Sequence, residues 1–165
     1  NFCEKNNIIL NVFSTSINFT KNNFHTHQDE YNWFNDFLKN CNWRFIKNNG
    51  SNNLPYKIID QSKLIICMDS SLGYESLARG QKTVFLPKRN NLKDQIFGWP
   101  YKLNSVGYFW ISKFYINNTE FSKFLKKNLS NSNTKWMKTN KKIKDKLCYF
   151  DIDNKKLKTI LNKNM

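Results

Sequence analysis

Residues 67–86, CMDSSLGYESLARGQKTVFL, gather the residue types with which a protein holds a phosphate. The apolar run KLIICMD delivers the chain to Asp69, Ser70 and Ser71. A short helical stretch follows from about Leu72 to Arg79, and KTVFLP reads as the next strand. In an open α/β sheet, ligands bind beyond the carboxyl ends of the strands, where helix N-termini point. Unpaired amides and aligned peptide dipoles make such an N-terminus an anion site, and Ser70 and Ser71 add hydroxyls to it. Gly73 costs about 1 kcal/mol relative to Ala inside a helix, a loss that a ligand's close approach to the backbone would justify. Glu75 completes no capping box, because Leu72 stands three residues before it. One turn into the helix, its carboxylate can accept hydrogen bonds from a ribose or sugar hydroxyl. The structural alternative is that Ser71 caps the helix and Glu75 merely complements the dipole. Asp69 either orients Ser70, meets the ligand, or serves as a turn residue.

These residues need a scaffold of alternating elements. NIILNVFST (7–15) reads as a buried strand, followed by a polar loop through His25 and His27. QDEYNWFNDFLKN (28–40) has Tyr31, Phe34 and Leu38 at helical spacing, with Asp29 and Glu30 near its start. WRFIKN is a second strand, NNGSNNLP a loop, and YKIIDQS one or two helical turns. The helix after Ser71 ends at Gly80, where a positive φ can close it. Strand, helix and strand joined by short connections predict an α/β fold of βαβ units with a mostly parallel sheet. Beyond Pro87 the sequence predicts an aromatic loop and a strand over FGWPYKLNSVGYFWIS, then the helix NTEFSKFLKKNL with Thr119 as its N-cap. Two amphipathic helices, TKWMKTNKKIKDKLCYF and NKKLKTILNK, close the chain.

The chain has 165 residues and a net charge of +15, from 27 basic and 12 acidic side chains. Its only arginines are Arg44, Arg79 and Arg89, whereas bidentate phosphate readout favours Arg over Lys. No specific nucleic-acid partner is therefore expected. The lysines crowd between Lys123 and Lys163, as a solvated helix face or an attraction to an anionic membrane surface would place them. No apolar run approaches the roughly 20 residues that span a bilayer. Cys3, Cys41, Cys67 and Cys148 form no CxxC pair, so neither a zinc site nor a disulfide framework is expected; Cys67 reads as a core residue and the reducing cytoplasm as the compartment.

Other candidates line the same imagined crevice. Lys47, with Arg44, ends the preceding strand and is either a phosphate contact or a solvated base. Gly98 and Trp99, in a turn fixed by Pro100, line the cleft or pack in the interior with Phe97, Tyr101, Tyr108, Phe109 and Trp110. Arg79 suits the C-terminal end of its helix. His25 and His27 lack acidic or Cys partners at ligand spacing, and Asp151 and Asp153 suit a helix cap, so no metal is expected. No Ser-His-Asp order, G-x-S-x-G elbow or Walker lysine occurs.

SSLGYESLARGQKTVF resembles the donor-binding segment of GT-B glycosyltransferases, Glu-Ala-x-Ala-x-Gly before a strand; Glu75, Ala78 and Gly80 match. Together with FGWP, GYFW and FDIDNKKLKTIL, it resembles bacterial surface-carbohydrate and O-antigen biosynthesis proteins from about Tyr56 to the end. The resemblance implies the Rossmann-like C-terminal half of a GT-B enzyme. Residues 1–130 would be the nucleotide-sugar-binding domain and 131–165 a helical extension packed on it. The acceptor domain and the catalytic base would belong to sequence preceding Asn1. By the family pattern, Ser70, Ser71 and Gly73 meet the donor phosphates and Glu75 meets the ribose or donor sugar. Many GT-B enzymes carry a second glutamate at the position of Cys67, so donor-sugar contacts must differ here. The expected function is transfer from a nucleotide sugar, used as substrate with no cofactor, to a glycan or lipid-linked acceptor. Contact with the anionic inner membrane would be peripheral. The alternatives are an epimerase of the same fold and a basic module that binds RNA or anionic membrane.

Overall fold

A computed structural model of the protein describes residues 2–17, 26–67, 70–86, 117–147 and 154–163. The chain divides into two compact units, Asn1–Gln61 and Ser62–Met165. Both are built on a parallel strand pair, so the architecture is α/β. Among the described residues, the strands form two separate pairs and not one sheet. The strand expected within 97–112 lies outside the described residues.

In the first unit, α1 (Phe2–Lys5) precedes β1 (Leu10–Ile17), which pairs with β2 (Trp43–Asn48). Regular register runs from Leu10↔Trp43 to Phe13↔Ile46 and then slips before Ile17↔Asn48. A parallel pair requires a crossover, and α2 (His27–Leu38) supplies it. Thr26 starts α2 with a capping box: its Oγ1 accepts the Asp29 amide while its own amide donates to Asp29 Oδ2 at 2.8 Å. The helix therefore begins one residue earlier than its apolar spacing indicates, and His27 belongs to its first turn, not to a loop. Tyr31 stacks on Trp43 at 5.6 Å and meets Phe45 edge-on. The third helix of the unit, α3 (Leu54–Gln61), makes two turns with Pro55 in its first, where a missing amide is harmless. Cys3 and Cys41 are free thiols; burial pushes the Cys3 thiol up, and Cys41 and Glu4 add to that shift.

The second unit is a compact βαβ turn with helices against it. Strands β3 (Ile65–Cys67) and β4 (Thr83–Phe85) pair from Ile65↔Thr83 to Cys67↔Phe85, joined by α4 (Ser71–Ala78). At the end of α4, the Gly80 amide donates to Leu77 O and the Gln81 amide to Ser76 O, a Schellman closure. Gly80 has φ +91°, as that closure demands. Helices α5 (Asn118–Ser130), α6 (Asn133–Leu147) and α7 (Lys155–Lys163) follow. Asn117, not Thr119, caps α5, its side chain accepting the Glu120 amide at 2.8 Å. Both residues are competent caps, and the extended backbone of Asn117 decides between them. The core is Cys67, Leu77, Val84, Phe85 and Trp136, with Leu64, Tyr74, Phe124 and Met137 around it.

Polar groups inside this core are matched in pairs. Ser76 and Thr83, both fully buried, share a hydroxyl bond of 2.8 Å between α4 and β4. The buried Asn128 accepts from Trp136 Nε1 at 3.0 Å and donates to Phe124 O. Lys82, also buried, directs its ammonium at the end of α5, donating to the carbonyls of Asn128, Leu129 and Asn131 at 3.2, 3.3 and 2.9 Å. Three donors thus meet three helix-end acceptors, on the side where the dipole favours a cation.

Lys82→Met keeps the apolar stem and removes the cap, and should cost about 1–3 kcal/mol in urea unfolding. The loss should vary with pH. Burial, and secondarily Lys63, lowers the Lys82 pKa below its ordinary 10.5. A lowered folded pKa means that the unfolded chain binds the proton more tightly. The titration-linked stabilisation is complete above the ordinary value and is lost as pH falls through the folded one. The gap between wild type and variant should widen across that alkaline window, and a constant gap would contradict it.

Candidate functional site

The turn after β3 places the phosphate-site candidates at the start of α4. Ser70 is the N-cap, with φ −91° and ψ 138°, and its Oγ accepts the Leu72 amide at 3.2 Å. Ser70, not Ser71, therefore fills the capping role, because only the residue just outside the helix has the extended backbone the role requires. The Gly73 amide donates to Ser70 O at 3.1 Å, so two first-turn amides are engaged within the protein. The Cys67 thiol, buried as the sequence indicates, donates to Ser70 O at 3.4 Å and ties the strand end to the helix start.

Helical spacing then sorts the candidates onto two sides. Ser71 and Glu75, one turn apart, are exposed together, and Ser70 is exposed beside them. Gly73, Ser76 and Leu77 face the interior, while Leu72 is half-buried. A Cβ on Gly73 would lie 2.5 Å from Cys67 Sγ, 2.7 Å from Cys67 Cβ and 2.9 Å from Phe85 Cε1. The close approach that this glycine permits is thus helix on sheet, the packing role of a glycine at a strand–helix junction. Ser70, Ser71 and Glu75 are the candidates that the fold brings together at the helix opening.

Lys47 and Arg44 are exposed on β2 and belong to the first unit. Arg79 is the C-cap of α4, as its sequence position implies. Asp69, Gly98, Trp99, the rest of the aromatic segment 97–110, His25, Asp151 and Asp153 lie outside the described residues. Among the described residues, no group of three His, Cys, Asp or Glu side chains is placed to hold a metal, and no helix is long and apolar enough to cross a membrane.

The first unit holds a polar cluster that the sequence does not announce. Ser14, fully buried beside the register slip of β1, has its Oγ 2.9 Å from His27 Nδ1 and donates to Glu30 Oε2. With that hydroxyl proton committed to the carboxylate, Nδ1 is the donor to Ser14, which assigns the tautomer from the hydrogen-bond pattern. His27 and Glu30 stand three apart on α2 and so share a face. Starting the helix at His27 would have exposed this spacing; pairing it with Ser14 needs the tertiary fold. Lys82 was likewise illegible, since its acceptors lie more than forty residues away.

No curated protein and no solved structure matches the chain. Over its whole length, residues 1–165, it matches the family described as "putative O-antigen biosynthesis protein", and it belongs to that family.

Proposed function

We propose that this chain supplies the nucleotide-sugar-binding part of a glycosyltransferase that builds surface polysaccharide, its β3–α4–β4 unit acting as the Rossmann-like donor site of a GT-B enzyme. The observation that carries this reading is the exposure of Ser70, Ser71 and Glu75 together at the N-terminus of α4. Family membership supports the pathway, and the resemblance around Glu75, Ala78 and Gly80 supports the chemistry. In this reading the donor diphosphate sits at the helix opening. The Ser71 hydroxyl and the positive end of the dipole stabilise the charge left on the nucleotide as the glycosidic bond breaks. Glu75 accepts a hydrogen bond from the ribose or donor sugar. Gly73 lets the helix descend onto the strands beneath the opening, where Leu72 is half-buried; Asp69, Lys47, Gly98 and Trp99 remain donor-binding candidates from the sequence alone. The acceptor is a glycan or lipid-linked sugar, and the reaction belongs to the cytoplasmic side.

Calorimetric titration with uridine and guanosine diphosphates, and with their sugar conjugates, tests this. Ser71→Ala and Glu75→Ala should each weaken saturable binding about tenfold or more, the worth of one hydrogen bond to a charged group. Ser70→Ala is a poor probe, because it removes a helix cap. Saturable binding that both variants leave unchanged would remove α4 from the site.

A further inference from the structure

Helix α7 is amphipathic in sequence. Every side chain described on it is exposed, including Ile160 at 49 % and Leu161 at 54 %. These neighbours lie about 100° apart around the helix and form one apolar strip. Lys155, Lys156, Lys158 and Lys163 surround it, and residues 155–163 contain no acidic side chain. Exposed Lys123, Lys126 and Lys127 on α5 and Lys135, Lys138 and Lys141 on α6 add positive charge within the same unit.

Charge and apolarity together select the occupant of this helix. A second copy of the chain would set α7 lysines against α7 lysines. A nucleic acid would pair with the lysines yet leave Ile160 and Leu161 in water. An anionic lipid surface satisfies both sets, since acyl chains take the apolar strip while headgroup phosphates take the ammoniums. The contrast with α2 sharpens the choice. That helix also exposes large apolar groups, Trp33 at 59 % and Phe37 at 70 %, but it carries Asp29, Glu30 and Asp36 and no Lys or Arg. An anionic surface would repel it.

We propose that α7 is an interfacial helix that docks the protein on an anionic lipid surface, Ile160 and Leu161 entering the acyl boundary and its lysines meeting the headgroups. The docking is independent of nucleotide binding at α4. A single short helix gives weak, reversible attachment, strengthened by the lysines of α5 and α6.

Co-sedimentation of the full chain with vesicles tests the proposal. One set contains phosphatidylcholine alone and the other includes phosphatidylglycerol. Binding is expected to the mixed vesicles and not to the neutral ones, and it should fall steeply as salt is raised. The paired change Ile160→Ser with Leu161→Ser, at exposed positions that leave the core intact, should weaken binding about tenfold or more. Replacing Lys155, Lys156 and Lys158 by Gln should weaken it about a hundredfold, near 1 kcal/mol for each lysine. Equal binding to both vesicle types, binding to neither, or binding that ignores the Ile160/Leu161 change would each overturn it. So would salt-sensitive capture of polyuridylate in preference to the anionic vesicles.

Discussion

Gly73→Ala should destabilise the second unit by about 3 kcal/mol, lowering its urea midpoint and melting temperature together. The added methyl would sit inside contact distance of three atoms on two strands, at 2.5, 2.7 and 2.9 Å. Real Cβ atoms do not approach that closely, so α4 must lift or the β3–β4 pair must move. The obstruction is not the far end of a flexible side chain that can swing aside. Cys67 Cβ is fixed to the strand, and the Phe85 ring is fully buried and packed at 5.1 Å against Tyr74. Cys67→Ala in the same chain removes the nearest atom but leaves the 2.7 Å contact, so rescue should be partial. Full stability in Gly73→Ala would contradict this close contact of helix and sheet. Ser71→Ala, by contrast, should change nucleotide affinity with little change in melting, which separates a packing defect from a binding one.

Trp136→Ala should cost about 3–5 kcal/mol, the range for truncating a fully buried large aromatic. Trp136 belongs to α6 yet completes the core of the βαβ unit, touching the cluster of Cys67, Leu77, Val84 and Phe85. Two losses combine: the ring volume in the core and the partner of Asn128 Oδ1. Trp136→Phe separates them. It refills most of the space but leaves a buried amide oxygen unmet, for a cost of about 1–3 kcal/mol. Doubling the change with Asn128→Leu should recover part of that penalty. Chemical denaturation followed by far-ultraviolet circular dichroism reads all three variants, and a Trp136→Ala chain as stable as wild type would place α6 outside the core.

The order of elements was legible because strand and helix periods differ and Gly, Pro and Asn punctuate them. Gly80 is the clearest case: its place after Ala78 and Arg79 implied a positive φ, and the Schellman closure uses one. Cys67 was recognisable as a core residue from its apolar run. Caps were harder to place. Thr26 and Asp29 form a box with aspartate in place of the commoner glutamate, and Asn117 competes with Thr119 for α5. At the site, the exposed pair Ser71 and Glu75 follows from helical spacing alone. The reason for Gly73 does not, because its crowding comes from Cys67, six residues back, and Phe85, twelve residues on, whose side chains meet it only once α4 packs on the β3–β4 pair. The same holds for Ser14 with His27 and Glu30, for Lys82 at the end of α5, and for Trp136 with Asn128. Each joins groups that only tertiary structure makes neighbours.

Cys67, Gly73 and Phe85 come from three successive elements and occupy a single space. Their volumes are therefore shared: homologues that enlarge one member should shrink another, and the three positions should drift in concert through the family. A chain shuffled between relatives at a breakpoint inside this trio would inherit two side chains competing for one vacancy.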